Sequence, residues 1–483
     1  MVFSTYSFVL IFLPIVLIVY FGMARFVPRR VQQVFLILAS LVFYGALFFN
    51  GFGNLSYIWL ILSSVIVNYS ISLGVQNAKN GTGRKILFTA GVVFNVCLIG
   101  YYKYFNFFIE NINLVFGTEY LIKYIALPLG ISFFTFQQIA YLIGVWKRQE
   151  RVPQFFDYTL FIVFFPQLVA GPIVFLNDVI DQYRDEKNRF FNVANFSPGI
   201  FLFAIGLFKK AVIADTFSDF VLNGYFQVEN LAFGQAWMTS LFYTFQIYFD
   251  FSGYSDMAIG LARMMNIDLP VNFYSPYKSK SITEFWQRWH ITLGRSLAVL
   301  IYFPLGGNRK GKVRTCINLL MVFLVSGIWH GAAWAFVIWG LAHGVVRVFE
   351  KIFERQIVKV PSLIRIFFTF MFVNAAWVLF RLQDTERALV VLKKMFVPDS
   401  FSFENIGILA YNANITYPDI LATIYICVAM ALAFVMVFVF RKNSIDLYNN
   451  FQPKVKWAIV AALLLAISLV HFSRVGAFIY FNF

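Results

Sequence analysis

The stretch that decides the fold is TCINLLMVFLVSGIWHGAAWAFVIWGLAHGVV, Thr315–Val346. It contains no Asp, Glu, Lys or Arg over 32 residues. About 20 apolar residues cross a bilayer core, and a lipid-facing charge at its centre costs several kcal/mol. The stretch therefore belongs in a membrane. It is too long for one upright helix and reads as two shorter ones.

The same pattern recurs along the whole chain. Met1–Ala24 is uncharged, lacks a basic leader and a small-residue cleavage site, and reads as a retained first span. Val31–Ala78 is also free of charge and divides at the turn cluster Asn50-Gly51-Phe52-Gly53-Asn54. Further runs follow at Ile86–Tyr102, Tyr124–Trp146, Tyr158–Asn177, Phe190–Phe208, Leu231–Phe249, Ile366–Phe380, Ile420–Phe440 and Trp457–Ser473. We count ten to twelve membrane segments. Within one of them, Phe165-Pro166-Gln167-Leu168-Val169-Ala170-Gly171-Pro172 carries two prolines and a glycine. Irregular backbone survives at membrane depth only inside protein or beside a water-filled cavity, so this stretch reads equally as a re-entrant segment.

Composition agrees. Of 483 residues, 60% are hydrophobic and 13% charged, where a soluble domain has about 25% charged. A soluble enzyme, a disordered chain and a disulfide scaffold are excluded. Cys97, Cys316 and Cys427 are widely spaced and form no C-x-x-C pair. The net charge of +16 sits in short loops between apolar spans, as anionic lipid headgroups and positive-inside topology require; no nucleic-acid partner is expected. Arg25, Arg29 and Arg30, then Lys79, Arg84 and Lys85, then Lys147, Arg148 and Arg151 occupy alternate loops. This places the N-terminus outside and the basic loops in the cytoplasm.

Four histidines are present: His290, His330, His343 and His471. His330 lies in Ser326-Gly327-Ile328-Trp329-His330-Gly331-Ala332-Ala333-Trp334, inside the decisive stretch. An ionisable group at that depth is a functional candidate; the alternative is a neutral histidine hydrogen-bonded between helices. Imidazole is well suited to general-base work near neutral pH. His290 closes Thr283-Glu284-Phe285-Trp286-Gln287-Arg288-Trp289-His290, ahead of Pro304-Leu305-Gly306-Gly307-Asn308-Arg309-Lys310. That basic turn is either an ordinary cytoplasmic loop or a landing surface for a phosphate-bearing donor such as coenzyme A. A third polar cluster, Phe249-Asp250-Phe251-Ser252-Gly253-Tyr254-Ser255-Asp256, puts two carboxylates at the end of an apolar helix. They either pair with basic groups or line a polar cavity. The chain has no G-x-S-x-G elbow, no H-E-x-x-H, no P-loop and no dinucleotide fingerprint, and its scattered histidines suggest no metal site.

Taken together, these segments resemble the membrane-bound O-acyltransferase family, in its bacterial alginate O-acetylase branch. The likeness begins at Leu127–Gln137 and Phe165–Val174, continues through Gly206–Asp215 and is strongest over Tyr243–Met264. Glu284–His290, Pro304–Arg309, Trp329–Trp334, Val373–Trp377 with Phe380-Arg381, and the terminal Phe478-Ile479-Tyr480-Phe481 extend it. The resemblance covers residues 120–483 well and the first 120 only in hydropathy.

It implies an all-α polytopic membrane fold of about eleven transmembrane helices, with re-entrant or short helices around a central tunnel. One integral-membrane domain is expected over 1–483, with N-terminal helices at 1–120, a catalytic core at 121–400 and C-terminal helices at 401–483. His330 is implied as catalytic and His290 as its companion. Arg288, Trp289, Trp329, Asp250, Asn308 and Arg309 are candidates for the tunnel or donor site. The implied donor is acetyl-CoA with no bound cofactor, and the implied location is the bacterial inner membrane. The partner would be an extracytoplasmic protein of the SGNH type that completes O-acetylation of a surface polysaccharide. The D-alanyl transferase branch and a non-catalytic transporter are the competing readings. Ala298 and Val299 stand where relatives carry an Arg-Asp pair, Gly144 where Asp is common, and Phe175 where a basic residue follows, so no ion pair is carried over to those positions.

Overall fold

In lipid the backbone has to satisfy its own hydrogen bonds, so apolar runs become helices. The computed structural model describes residues 2–46, 56–226, 228–397, 401–404, 406–410, 419–472, 476 and 479, and among these there is no strand. The turn cluster at 50–54 lies outside the described residues, as does the terminal 478–481 motif apart from Ile479. Among the described residues five helices are long and apolar enough to cross a membrane, and shorter apolar helices accompany them. The chain divides into two compact units: residues 1–207 with 254–271 and 450–472, and residues 208–253 with 272–449 and 473–483.

In the first unit, Ser56–Asn77, Gly81–Ile99 and Ile131–Trp146 pack together. A Cβ on Gly91 would lie 2.8 Å from Leu142 and 3.0 Å from Ile71, so the glycine allows all three helices to meet. A buried amide network joins them. Ser64 Oγ and Asn68 Nδ2 donate to Gln138 Oε1 at 2.8 and 2.5 Å, and Asn95 Nδ2 donates to Asn68 Oδ1 at 2.6 Å.

The Pro-Gly stretch is not a span. It breaks into Phe155–Val163, Phe165–Leu168 and, after an irregular run, Leu176–Arg184. Residues 157–176 are buried throughout, and local side chains satisfy the interrupted backbone. Ser40 Oγ accepts from the Phe165 N–H at 3.1 Å, and Gln167 Nε2 donates to the Phe161 carbonyl at 2.7 Å. Arg184 Nε donates to Asp157 Oδ2 at 3.0 Å, so the stretch comes back to the end it left, as the re-entrant reading expects.

Three other spans differ from their charge-free runs. The run from Tyr124 is helical only from Ile131, since Gly130 turns through φ +77° against the Leu168 carbonyl. The Ile86–Tyr102 run belongs to a longer helix, Gly81–Phe116, which passes Lys103; that ammonium donates to Ser132 Oγ at 3.3 Å. The run ending at Phe249 continues as a 32-residue helix, Phe233–Met264. Asp250 and Asp256 therefore do not end a helix; both lie within it. By contrast, the decisive stretch does split, into Gly311–His330 and Trp334–Ile352.

Gly144 makes room for a carboxylate from further along the chain. A Cβ there would meet Glu150 Cδ at 2.6 Å.

Candidate active site

The second unit contains every candidate site residue. His330 is the last residue of Gly311–His330, and the chain continues extended through Gly331 before turning back as Trp334–Ile352. Glycines set how closely the two helices approach. A Cβ on Gly327 would lie 2.3 Å from the Phe336 carbonyl oxygen, and one on Gly340 would lie 2.3 Å from that of Phe323. A Cβ on Gly331 would strike the Phe336 ring at 2.0 Å. The pair is thus locked, and His330 is held at its closed end, only 2% exposed.

Aromatic rings enclose the imidazole. Trp329, Trp339 and Phe380 lie at centroid distances of 5.0, 5.0 and 5.1 Å, each roughly edge-on. Trp377 backs this wall, 5.7 Å from Trp339 and 5.1 Å from Phe380. His290 reaches the same group through Trp329, at 6.1 Å. The structure thus gathers His330, His290, Trp329 and Trp289 into one buried aromatic cluster. Trp289 packs 5.0 Å from Trp377 and 5.6 Å from Phe285.

His290 has an uncommon backbone. Its φ of +45° is left-handed, a conformation costly for a non-glycine residue. Main-chain and side-chain bonds hold it there. The Ile291 N–H donates to the Asn272 carbonyl at 3.0 Å, while Asn272 Oδ1 accepts from the Thr292 N–H at 3.3 Å and Thr292 Oγ1 at 3.0 Å. Since those donors identify that atom as the oxygen, His290 Nδ1, 3.1 Å away, donates to it. In the neutral ring Nε2 then keeps its lone pair. Sequence reading missed Asn272, because a lone amide in a linker acquires this role only through the fold.

The remaining candidates fall elsewhere. Arg288 is half-buried and donates to Glu284 Oε1 at 2.7 Å along its own helix. Asn308 and Arg309 sit exposed in the turn that follows Phe303. Asp250 belongs to a buried ionic group. Lys210 Nζ lies 2.8 Å from Asp250 Oδ1 and 2.7 Å from Asp215 Oδ1, and donates to the Gly476 carbonyl at 3.2 Å. Asp250 Oδ2 accepts the Ile479 N–H at 2.9 Å. Of the two roles read for this carboxylate, pairing is the one observed. Its neighbour Phe251 packs 4.8 Å from His290.

The membrane-bound O-acyltransferase family model matches residues 94–383. The chain belongs to the membrane-bound O-acyltransferase family. It is 38% identical to a peptidoglycan O-acetyltransferase of Helicobacter pylori, over 100% of this chain and 98% of that protein. It is 36% identical to a probable alginate O-acetylase AlgI of Pseudomonas aeruginosa, over 82% of this chain and 75% of that one. A teichoic acid D-alanyltransferase of Bacillus subtilis is 28% identical over 47% of this chain and 60% of its own length. This member of the family is therefore a multi-pass membrane acyltransferase, and a transporter without covalent chemistry is set aside.

Proposed function

We propose that the chain moves an acetyl group from acetyl-CoA, supplied from the cytoplasm, toward a hydroxyl of a cell-envelope polysaccharide. An extracytoplasmic partner of the SGNH type completes the transfer, and the protein resides in the bacterial cytoplasmic membrane with its N-terminus outside. The observation that carries the reading is His330 at the closed end of a glycine-locked helix pair, joined to His290 through Trp329.

His330 takes the proton from the acceptor hydroxyl as its oxygen attacks the thioester carbonyl. The C–S bond then breaks, and the leaving thiolate recovers the proton from the imidazolium. The aromatic wall of Trp329, Trp339 and Phe380 keeps water away from the thioester. His290, its Nδ1 proton directed to Asn272, offers Nε2 to accept a hydrogen bond and orient a reactant. Among acceptors, a peptidoglycan-type glycan is favoured by the end-to-end match with the relative of that name, and an alginate-like polymer is the second reading.

Purified protein in liposomes, given radiolabelled acetyl-CoA and an acetyl acceptor, should transfer label. General-base catalysis typically supplies ~10²–10⁴-fold, so His330→Ala should lose at least about 10²-fold while remaining monodisperse. His290→Ala should lose less. Full activity in a folded His330→Ala protein would overturn the mechanism. Transfer from a D-alanyl carrier protein but not from acetyl-CoA would overturn the donor.

A further inference from the structure

His343 is the histidine that the proposed chemistry leaves unused. It is fully buried one helical turn after Trp339, on the Trp334–Ile352 helix. Phe285, Phe323, Phe372 and Trp339 surround it at centroid distances of 6.3, 6.2, 5.1 and 4.9 Å. Among the described residues its polar contact is directional: Trp286 Nε1 donates to His343 Nδ1 at 3.2 Å. An indole nitrogen can only donate. Nδ1 is therefore unprotonated, and the ring is the neutral Nε2–H tautomer, opposite to that of His290.

This bond fixes more than one ring. Trp286 is held 5.4 Å from Phe323 and 5.8 Å from Trp339. Trp339 in turn lies 4.9 Å from His343 on one side and 5.0 Å from His330 on the other. The Trp286–His343–Trp339 group is thus the back of the wall on which the His330 imidazole rests. We propose that His343 is a positioning residue: as a fixed hydrogen-bond acceptor for Trp286, it locks Trp339 and through it the orientation of His330. The inference rests on the transferase reading for its kinetic consequence, and on the Trp286–His343 hydrogen bond and the ring contacts of Trp339 for its structural one.

Two conservative variants separate the ring's two nitrogens. In His343→Asn the amide oxygen can take the place of Nδ1 as acceptor, whereas His343→Gln places its amide at the Nε2 end. A small displacement of a reacting group can cost about 10²-fold. His343→Leu and His343→Gln should therefore lower kcat by roughly 10–100-fold. KM for acetyl-CoA should stay within about 2-fold, because binding is not what is lost. His343→Asn should recover to within about 3-fold of wild type, and Trp286→Phe should match His343→Leu, with the double variant no slower than the slower single one.

The inference is overturned if His343→Asn is as slow as His343→Leu, if His343→Leu keeps full kcat, or if the Trp286 and His343 losses multiply. Should His343→Leu not fold, His343→Asn against Trp286→Phe gives the same comparison. Nitrogen NMR of histidine-labelled protein reads the geometry without turnover. One resonance should report a neutral Nε2–H ring that changes with Trp286→Phe, and the His330 signal should move in Trp286→Phe but not in His343→Asn. If wild type transfers no label, the donor assignment fails, and the His330 signal alone decides whether His343 positions it.

Discussion

At the scale of single residues, the site depends on which nitrogen of each histidine carries a proton. Asn272 settles this for His290 by presenting one oxygen to Nδ1 and to both Thr292 donors. It also holds His290 in its left-handed conformation through the Ile291 N–H. Asn272→Ala keeps that main-chain bond but removes the side-chain acceptor, so the ring becomes free to flip or exchange tautomers. The expected result is a folded protein whose kcat falls by about 10-fold or more, with a smaller change in KM. Steady-state acetyl transfer checks it; an unchanged kcat would show that the His290 tautomer does not matter. Thr292→Val should have a weaker effect, because the Thr292 main-chain N–H still anchors Asn272 Oδ1. His290 and His330 were legible in the sequence because imidazoles stand out in apolar surroundings. Asn272 and the role of His343 were not, since each acts on a residue brought to it by folding.

At the scale of elements, the helix pair carrying His330 is held at a spacing only glycine permits. Gly→Ala in a helix interior ordinarily gains up to about 1 kcal/mol. At Gly327 and Gly340 the sign should reverse, since each new methyl would lie 2.3 Å from a carbonyl oxygen of the opposing helix. Overpacking of this kind typically costs about 1–3 kcal/mol. Gly327→Ala and Gly340→Ala should therefore unfold at lower temperature and lose acyl transfer together, as His330 moves with its helix. Gly100→Ala, where nothing lies within 4 Å of the added carbon, should be neutral or stabilising. Thermal unfolding of the three variants decides the point, and equal behaviour would contradict the packing account.

The ionic group on the Phe233–Met264 helix makes a second test at this scale. The side chains of Lys210, Asp215 and Asp250 are each no more than 6% exposed. Removing one member of a buried ion pair costs about 3–5 kcal/mol. Lys210→Met leaves two carboxylates without their cation and should be the most damaging change. Asp215→Asn leaves a matched Lys210–Asp250 pair and should be milder; the reverse ranking in denaturation would argue against this pairing. The same group explains why the helix was misread from its sequence. A charge-free run stops at Asp250, yet the helix continues because a lysine from a distant segment neutralises the charge. Lys103 hid the length of Gly81–Phe116 in the same way, with Ser132 as its acceptor.

At the scale of the molecule, the orientation read from loop charge can be tested within the first unit, where the structure groups the loops. Arg30 donates to Gln154 at 2.8 Å, Gln76 Oε1 accepts the Val152 N–H at 2.7 Å, and Arg84 donates to the Val145 and Trp146 carbonyls. The three basic loops therefore share one end of this unit. Tyr44 Oη and Tyr57 Oη donate to the carbonyls of Leu129 and Ala126, placing the segment before Ile131 with the opposite ends of those helices. Alternation by charge and grouping by contact agree that this unit has one basic end, which the proposed orientation assigns to the cytoplasm by the positive-inside bias. Arg148 and Glu119 are exposed at the two ends. In a chain whose three cysteines are replaced by alanine, Arg148→Cys should resist a membrane-impermeant maleimide until the cells are opened, whereas Glu119→Cys should react from outside. The opposite pattern would invert the N-terminus and move the proposed donor side with it. Labelling of both from outside would break the link between loop charge and topology, even though the two ends remain distinct in the fold.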